Sequence, residues 1–434
     1  MNSRNEKNYI FIVGNGFDLN LGLESKFYDF ILHKYFEGDE KLIQDLYKMY
    51  LAGNNNFIFL LNFLFFNKEN YISYEEFLNA LKSKFFLFLY FCHNYHSFRI
   101  RGLKSIENLK EIKDKNWSDI ESTLSYILKK IGNKERFNFN GILNEVTENC
   151  GRLRIMHYQI DGIYNIKKIL FDSDQCVTLI KESLKQFEIE FNNYIFEKCK
   201  KINFSDKLST QWAKYIHKYT SDQSFFSNNI VCLSFNYTIC DINEIKTKLT
   251  NQRKLEKNIP NFKYYYHNDY IRYVNIHGHI MEQVNNEYSP IIIGIDDNEC
   301  GDFRFSEFTK SYKVAKIRTN NEKNSSLLFG DSSNNLEIYF YGHSLSKNDY
   351  SYFQSIFDTF DLYSKNVQVH FVYPTDENNK DHSKYCDFKK IYELIHQYGY
   401  SFNNKNKGQN LFSKLLLEDR LKIHFIDWSN LNKK

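Results

Sequence analysis

The chain has 434 residues, 42% hydrophobic and 18% aromatic, so it can bury a sizeable core and has room for more than one domain. Its formal net charge of +4 is small for this length and its lysines are spread out rather than blocked, so a nucleic-acid partner is not indicated. The 8 cysteines lie far apart with no Cys-x-x-Cys pair, which argues against a zinc ribbon or a thioredoxin-type site and fits free thiols in a reducing cytoplasm.

The first predicted element is a strand at residues 9–13, Tyr-Ile-Phe-Ile-Val, apolar throughout as a strand buried on both faces would be. It breaks at Gly14, Asn15 and Gly16, and helical spacing sets in with Leu23, Phe27, Phe30 and Ile31. Strand, glycine turn and helix form the arrangement that cradles phosphate, because glycine lets the backbone approach a ligand and free N–H groups attract anions. The third glycine of the dinucleotide fingerprint is displaced: Gly22 follows Gly16 by six residues, not three. A tight turn without a ligand reads equally well from the same residues.

Residues 34–227 carry little strand punctuation, and helical stripes recur in them, at Phe77, Leu78, Leu81, Phe85 and Phe88, and at Leu184, Phe187, Phe191, Tyr194 and Ile195. This stretch reads as a helical insertion. Within it, Ser118 and Glu121 fit a capping box, with Asp119 or Glu121 as a general base in the functional alternative. The most apolar runs, 57–66 and 85–92, fall far short of the ~20 residues a membrane helix needs, and no secretory signal precedes the first strand, so no membrane partner and a cytoplasmic location are expected.

From residue 229 short apolar runs recur at 230–235, 273–276, 291–295, 337–341, 367–373 and 423–426, several of them separated by helical patterns at 352–363 and 389–397. Strands alternating with helices predict an α/β fold with a doubly wound, mostly parallel, Rossmann-like sheet, made of residues 1–33 and 228–434 and interrupted by the helical insertion at 34–227. The Asn-rich pieces at 320–324 and 403–410 read as surface loops.

Ligands of such sheets bind beyond the carboxyl ends of the strands. The polar residues after the runs are Asn15 and Asp18; Asn236, Tyr237 and Thr238; His277, Gly278 and His279; Asp296 and Asp297; and Gly342, His343 and Ser344. Five ends thus offer glycine, amide, carboxylate and imidazole groups. Each has a plain structural role as well: Asn236 and Asp297 as turn formers, His343 and Ser344 as caps of the helix that follows.

The pieces GNGFDLNLGL (14–23), WSDIE (117–121), SFNYT (234–238), HGH (277–279) and YGHSLSKND (341–349) resemble the AbiH family of bacterial phage-defence (abortive infection) proteins, in order and over nearly the whole chain. A second similarity is to sirtuin-like NAD-binding proteins. It implies that Gly14 and Gly16 cradle a pyrophosphate, that Asn236 lies near the nicotinamide ribose, that His277 is catalytic, and that Gly342 and Ser344 meet the adenosine side. Asn15, Phe17, Gly278 and His343 complete the expected nucleotide-binding set. The chain lacks the paired-cysteine zinc module of sirtuin deacylases, and it has Glu24, Ser25, Lys26 and Phe27 where their first loop carries proline and arginine; protein deacylation is not expected.

The resemblance implies cleavage of the nicotinamide–ribose bond of NAD or a related nucleotide, with Asn236 holding a ribose hydroxyl or the water, His277 as base and Asp18 stabilising the cation or positioning the nicotinamide end. NAD is then substrate or ligand, and no metal is expected. Two readings stand beside it. One is metal-dependent nucleic-acid or phosphoester hydrolysis through Asp18, His277, His279, Asp296 and His343. The other is a nucleotide-binding sensor without chemistry, its helical insertion binding a phage or host protein. Oligomeric state stays open, a homo-oligomer included.

Overall fold

The computed structural model describes residues 7–36, 86, 118–132, 173–220, 229–257, 271–282, 289–319, 335–375 and 387–426. The chain divides into two compact units, one of Met1–Leu23, Ile195–Ile280 and Val314–Lys434, the other of Glu24–Tyr194 and Met281–Lys313.

The first unit is built on a sheet of six strands, β1 (Asn8–Val13), β2 (Asn229–Ser234), β3 (Ile271–Asn275), β4 (Leu336–Tyr341), β5 (Val367–Pro374) and β6 (Leu421–Ile426), in the order β3-β2-β1-β4-β5-β6. Every pairing is parallel. The fold is therefore a doubly wound α/β sheet. Strands are added outward from β1 on one side, and the chain then returns to the other side at β4, so the order reverses between β1 and β4. In sheets of this kind that is where the carboxyl ends part to form a crevice.

β1 is buried along its whole length because it lies in the middle of the sheet. Its two faces differ. Ile10 and Ile12 join Val231, Leu233, Ile338, Phe340 and Phe371 in an aliphatic and phenylalanine layer. Helices α8 (Tyr350–Thr359), α9 (Phe388–Tyr400) and α10 (Lys405–Leu417) cover that layer with Phe353, Phe357, Ile391, Leu394, Leu411 and Leu415. On the opposite face Phe11 stacks on Tyr339 at 5.2 Å and meets Tyr215 of α5 (Phe204–Thr220) edge-on at 5.1 Å. Helix α6 (Ile242–Lys257) packs beside α5. Among the described residues no helix is long and apolar enough to cross a membrane.

The second unit is helical where it is described. It holds α2 (Phe27–Phe36), α3 (Ser118–Gly132), most of α4 (Ser173–Lys201) and the start of α7 (Lys310–Thr319). Phe27 and Phe30 meet Phe187 at 5.2 and 5.4 Å, and Phe30 meets Phe191 at 5.2 Å, so the aromatic stripe of α4 is core. The residues of the other stripe, Phe77, Leu78, Leu81, Phe85 and Phe88, lie outside the described residues; Phe86, not one of them, is fully buried.

The run at 291–295 is not a strand of the sheet. It belongs to the second unit, where Ile295 forms an isolated bridge with Thr309. Its isoleucines are buried, yet the backbone groups of its central residue go to charged side chains: Ile293 N–H donates to Glu188 Oε1 at 2.7 Å, and Ile293 O accepts from Lys313 Nζ at 2.7 Å. Apolar composition reported burial; it could not report which partners the backbone would find. The Asn-rich piece at 403–410 is also not all loop. Asn404 caps α10, its side chain accepting from Lys407 N–H, and the helix starts at Lys405.

Candidate active site at the carboxyl ends of the strands

The loops leaving β1, β2, β3 and β4 all belong to the sheet unit. After β1 the chain turns at once into a short helix, α1 (Asn15–Leu19), and after β4 into an irregular loop. These two loops meet directly at the order reversal. Gly14 N–H donates to Tyr341 O at 3.1 Å, Gly16 N–H to Gly342 O at 2.8 Å, and Phe17 N–H back to Gly14 O at 2.9 Å. A Cβ on Gly14 would lie 2.6 Å from His343 Cα, and one on Gly16 would lie 2.7 Å from Gly342 Cα. Glycine is thus required at 14 and 16 for two backbones to touch, while Gly342 also has φ +62°. Phe17 is wholly buried, at 5.0 Å from Trp212 and 5.6 Å from Tyr341, and anchors the turn in the core.

Asp18 is 1% exposed. Thr238 Oγ1 donates to its Oδ2 at 2.8 Å, whereas Oδ1 is buried without a hydrogen-bond partner. Loss of water pushes the Asp18 carboxyl up to about 7; the Thr238 hydroxyl and the Asn236 amide pull the other way and only partly offset it. Keeping this carboxyl charged in the interior costs stability near neutral pH, and a carboxyl perturbed in this way beside a strand-end crevice is a candidate for chemistry.

Asn236 is buried, and its Nδ2 donates to Gly14 O at 3.0 Å, tying the β2 loop to the β1 loop. Asn275, at the end of β3, in turn fixes the β2 loop: its Nδ2 donates to Asn236 O at 2.9 Å and to Thr238 O at 2.8 Å.

His277 follows β3, with Gly278 at φ +77° and His279 exposed beyond it. Its Nε2 lies 3.2 Å from Asp349 Oδ1, and His343 Nε2 lies 3.5 Å from Asp349 Oδ2. Both imidazoles stand edge-on to the Phe235 ring, at 5.3 and 4.7 Å. Ser344 is half-buried beside them in sequence. His343 and Ser344 do not cap the following helical turn; Ser346 does, accepting from Asn348 N–H.

The structure therefore brings the β1 and β4 loops into contact and links Asp18 to Thr238, Asn236 to Gly14, and His277 and His343 to Asp349. Asn275 and Asp349 were missed by sequence reasoning. Asn275 falls within the apolar run predicted at 273–276, and Asp349 looks like an ordinary helix cap. Asp296 and Asp297 are in the other unit, where Asp296 caps a short 3-10 turn by accepting from Asn298 N–H and Asp297 accepts from the Ser311 hydroxyl. Among the described residues no three His, Cys, Asp or Glu side chains converge as a metal's ligands would. Glu121 pairs with Lys310 at 2.8 Å in the interior of the second unit, which makes it a structural residue; the side chains of Ser118 and Asp119 lie outside the described residues.

The family model described as Bacteriophage abortive infection AbiH matches residues 10–373, from β1 to the end of β5. Comparison with curated proteins gives no match.

Proposed function

The chain belongs to the AbiH family, and hence to bacteriophage abortive infection; from that premise we propose that the strand-end rim of its sheet binds NAD or a related nucleotide and hydrolyses the bond between nicotinamide and ribose. The observation that carries the reading is Asp18, a carboxyl buried next to the order reversal of the sheet with one oxygen unpartnered. The sirtuin-like order of glycine loop, Asn236, His277 and Gly342-x-Ser344 supports the choice of nucleotide.

The bond from ribose C1′ to the pyridinium nitrogen breaks, and its electron pair leaves with nicotinamide, which departs neutral and needs no acid. Positive charge develops on the ribose, which a carboxylate at Asp18 stabilises. Water adds to C1′, and its proton passes to His277, whose side chain type works near neutral pH. The products are nicotinamide, ADP-ribose and a proton. Asn236 orients the ribose or the water.

Purified protein incubated with NAD, with and without a lysate of phage-infected cells, is expected to release nicotinamide. His277→Ala should lower kcat on the order of 10²–10⁴-fold while the melting temperature holds. Absence of turnover in both conditions, together with absence of NAD binding by calorimetry, removes the proposal. A second reading, a nucleotide sensor without chemistry, is favoured by one observation: the Asn236 amide already donates to Gly14 O. NAD binding without turnover, unchanged by His277→Ala, would select it.

A further inference from the structure

Asn236, Tyr237 and Thr238 follow β2 as one short segment, and the carbonyls of all three are taken up from β3 and the residues just after it. Asn275 Nδ2 donates to Asn236 O at 2.9 Å and to Thr238 O at 2.8 Å. Ile280 N–H donates to Tyr237 O at 2.9 Å, and the Tyr273 hydroxyl donates to Thr238 O at 3.3 Å. The side chains at 236 and 238 reach the other way, to the loop after β1. Asn236 Nδ2 donates to Gly14 O at 3.0 Å, and Thr238 Oγ1 donates to Asp18 Oδ2 at 2.8 Å. The backbone of this segment is thus held by β3, while its side chains hold the β1 loop.

The consequence falls on Asp18, which lies on the short helix α1 and is 1% exposed. A free carboxyl rotates and exchanges its two oxygens. The Thr238 hydroxyl commits Oδ2, and Oδ1 is the oxygen left without a hydrogen-bond partner. The hydroxyl is itself fixed in place. Thr238 is buried and β-branched, so few rotamers are open to it, and its carbonyl is anchored by Asn275 and Tyr273. The Asn275 amide has two N–H donors, and this segment presents two carbonyls to receive them. The hydroxyl also acts on charge. Loss of water raises the Asp18 carboxyl, and the Thr238 hydroxyl, ahead of the Asn236 amide, draws it back, because a donor favours the ionised form.

We infer that Thr238 is a positioning residue of this site and that Asn275 positions it in turn: the Thr238 hydroxyl fixes which oxygen of Asp18 meets the ligand, and the Asn275 amide fixes the hydroxyl. The inference rests on the nucleotide-hydrolysis reading for its kinetic consequence but not for its structural content. In that reaction the charge developing on the ribose is met by Asp18 as a carboxylate. Without the hydroxyl, Asp18 keeps its proton to higher pH, and the cation meets a neutral acid in place of an anion. Thr238 and Asn275 act through Asp18 and need not touch the nucleotide.

The test uses full-length protein labelled with ¹³C at the aspartate carboxyls, with Asp18→Asn for assignment. The wild-type midpoint of the Asp18 titration is expected at about 7. Thr238→Val keeps the shape of the side chain and removes the donor, and should raise that midpoint by about one pH unit. Thr238→Ser keeps the donor and should leave the midpoint close to that of the wild type. Asn275→Ala leaves the Thr238 side chain unaltered, yet should move the midpoint upward by a smaller step. A residue that merely packed the loop would not move this titration. Nicotinamide release should follow it: in Thr238→Val the acid limb of the kcat/KM profile shifts upward, kcat/KM at pH 7 falls about 5-fold as ionised Asp18 is lost, and Thr238→Ser restores it. An Asp18 midpoint unmoved by Thr238→Val or by Asn275→Ala overturns the inference, as does one that Thr238→Ser moves as far as Thr238→Val. Asn275→Ala carries the test where Thr238→Val does not fold. If the wild type releases no nicotinamide, the NAD reading falls and the titrations alone decide the roles of Thr238 and Asn275.

Discussion

Glu188 in the helical unit and Asp18 in the sheet unit are both buried carboxyls that loss of water pushes upward. Their surroundings differ. Glu188 receives Lys313 Nζ at 2.7 Å and Ile293 N–H at 2.7 Å, both on Oε1, so its charge is paired with a cation. The neighbouring pair Glu121–Lys310 is closed in the same way, with side chains 8% and 2% exposed. Asp18 receives a hydroxyl on one oxygen and nothing on the other. Buried charges in the helical unit act as clamps that hold the 281–313 segment to its helices. The unmet oxygen of Asp18 leaves an acceptor available to a ligand. A carboxyl whose partners are all present explains itself structurally, whereas one with a missing partner calls for a function.

The comparison breaks most visibly at Lys310. Lys310→Met removes the cation from the buried Glu121, and should cost roughly 3–5 kcal/mol in denaturant unfolding, most of it recovered when Glu121→Leu is added. A cost below about 1 kcal/mol would mean that the pair is no clamp.

Asp18 should show the opposite sign. The folded chain retains a proton on Asp18 that the unfolded chain has already released, because the folded value of about 7 lies above the ordinary 3.8. Stability from this group is therefore greatest below about pH 4 and falls by about 1.4 kcal/mol per pH unit as pH rises toward 7, then levels off. Asp18→Asn should flatten that slope, so that the variant gains on the wild type between pH 4 and 7. Parallel stability curves for the two proteins over this window would show that Asp18 is not a strained acid. Nicotinamide release should be lost in the variant at every pH.

Smaller effects sharpen the role of the loops. Gly16→Ala places a methyl group 2.7 Å from Gly342 Cα, so backbone must move, at a cost of about 1–3 kcal/mol. Gly22→Ala, with open space around it but φ +82°, should cost only about 1 kcal/mol. Equal losses at the two sites would show that close packing of the β1 and β4 loops is not what glycine provides at 16. Asn236→Ala, which removes the bond to Gly14 O, should cost about 1 kcal/mol in thermal unfolding while abolishing turnover. Retained turnover would leave Asn236 as a loop tie and nothing more.

Residue order alone determined the fold class, because apolar runs separated by amphipathic helices have few ways to bury themselves other than a doubly wound parallel sheet. It also determined which groups stand at the strand ends: Asn236 and His277 directly follow apolar runs, and Asp18 and His343 come within the loops just beyond them. What it could not separate was burial from pairing. The run at 291–295 is as apolar as β4, yet Glu188 and Lys313 take the backbone groups of Ile293 at its centre and it is not a strand of the sheet. Nor could it see Asp349, whose place before α8 is that of a common cap, or Asn275, hidden in the apolar run predicted at 273–276. Those roles depend on side chains brought together from distant parts of the chain. Whether a carboxylate caps its own helix or turns to two imidazoles is decided by what the tertiary structure sets before it, and no local pattern encodes that.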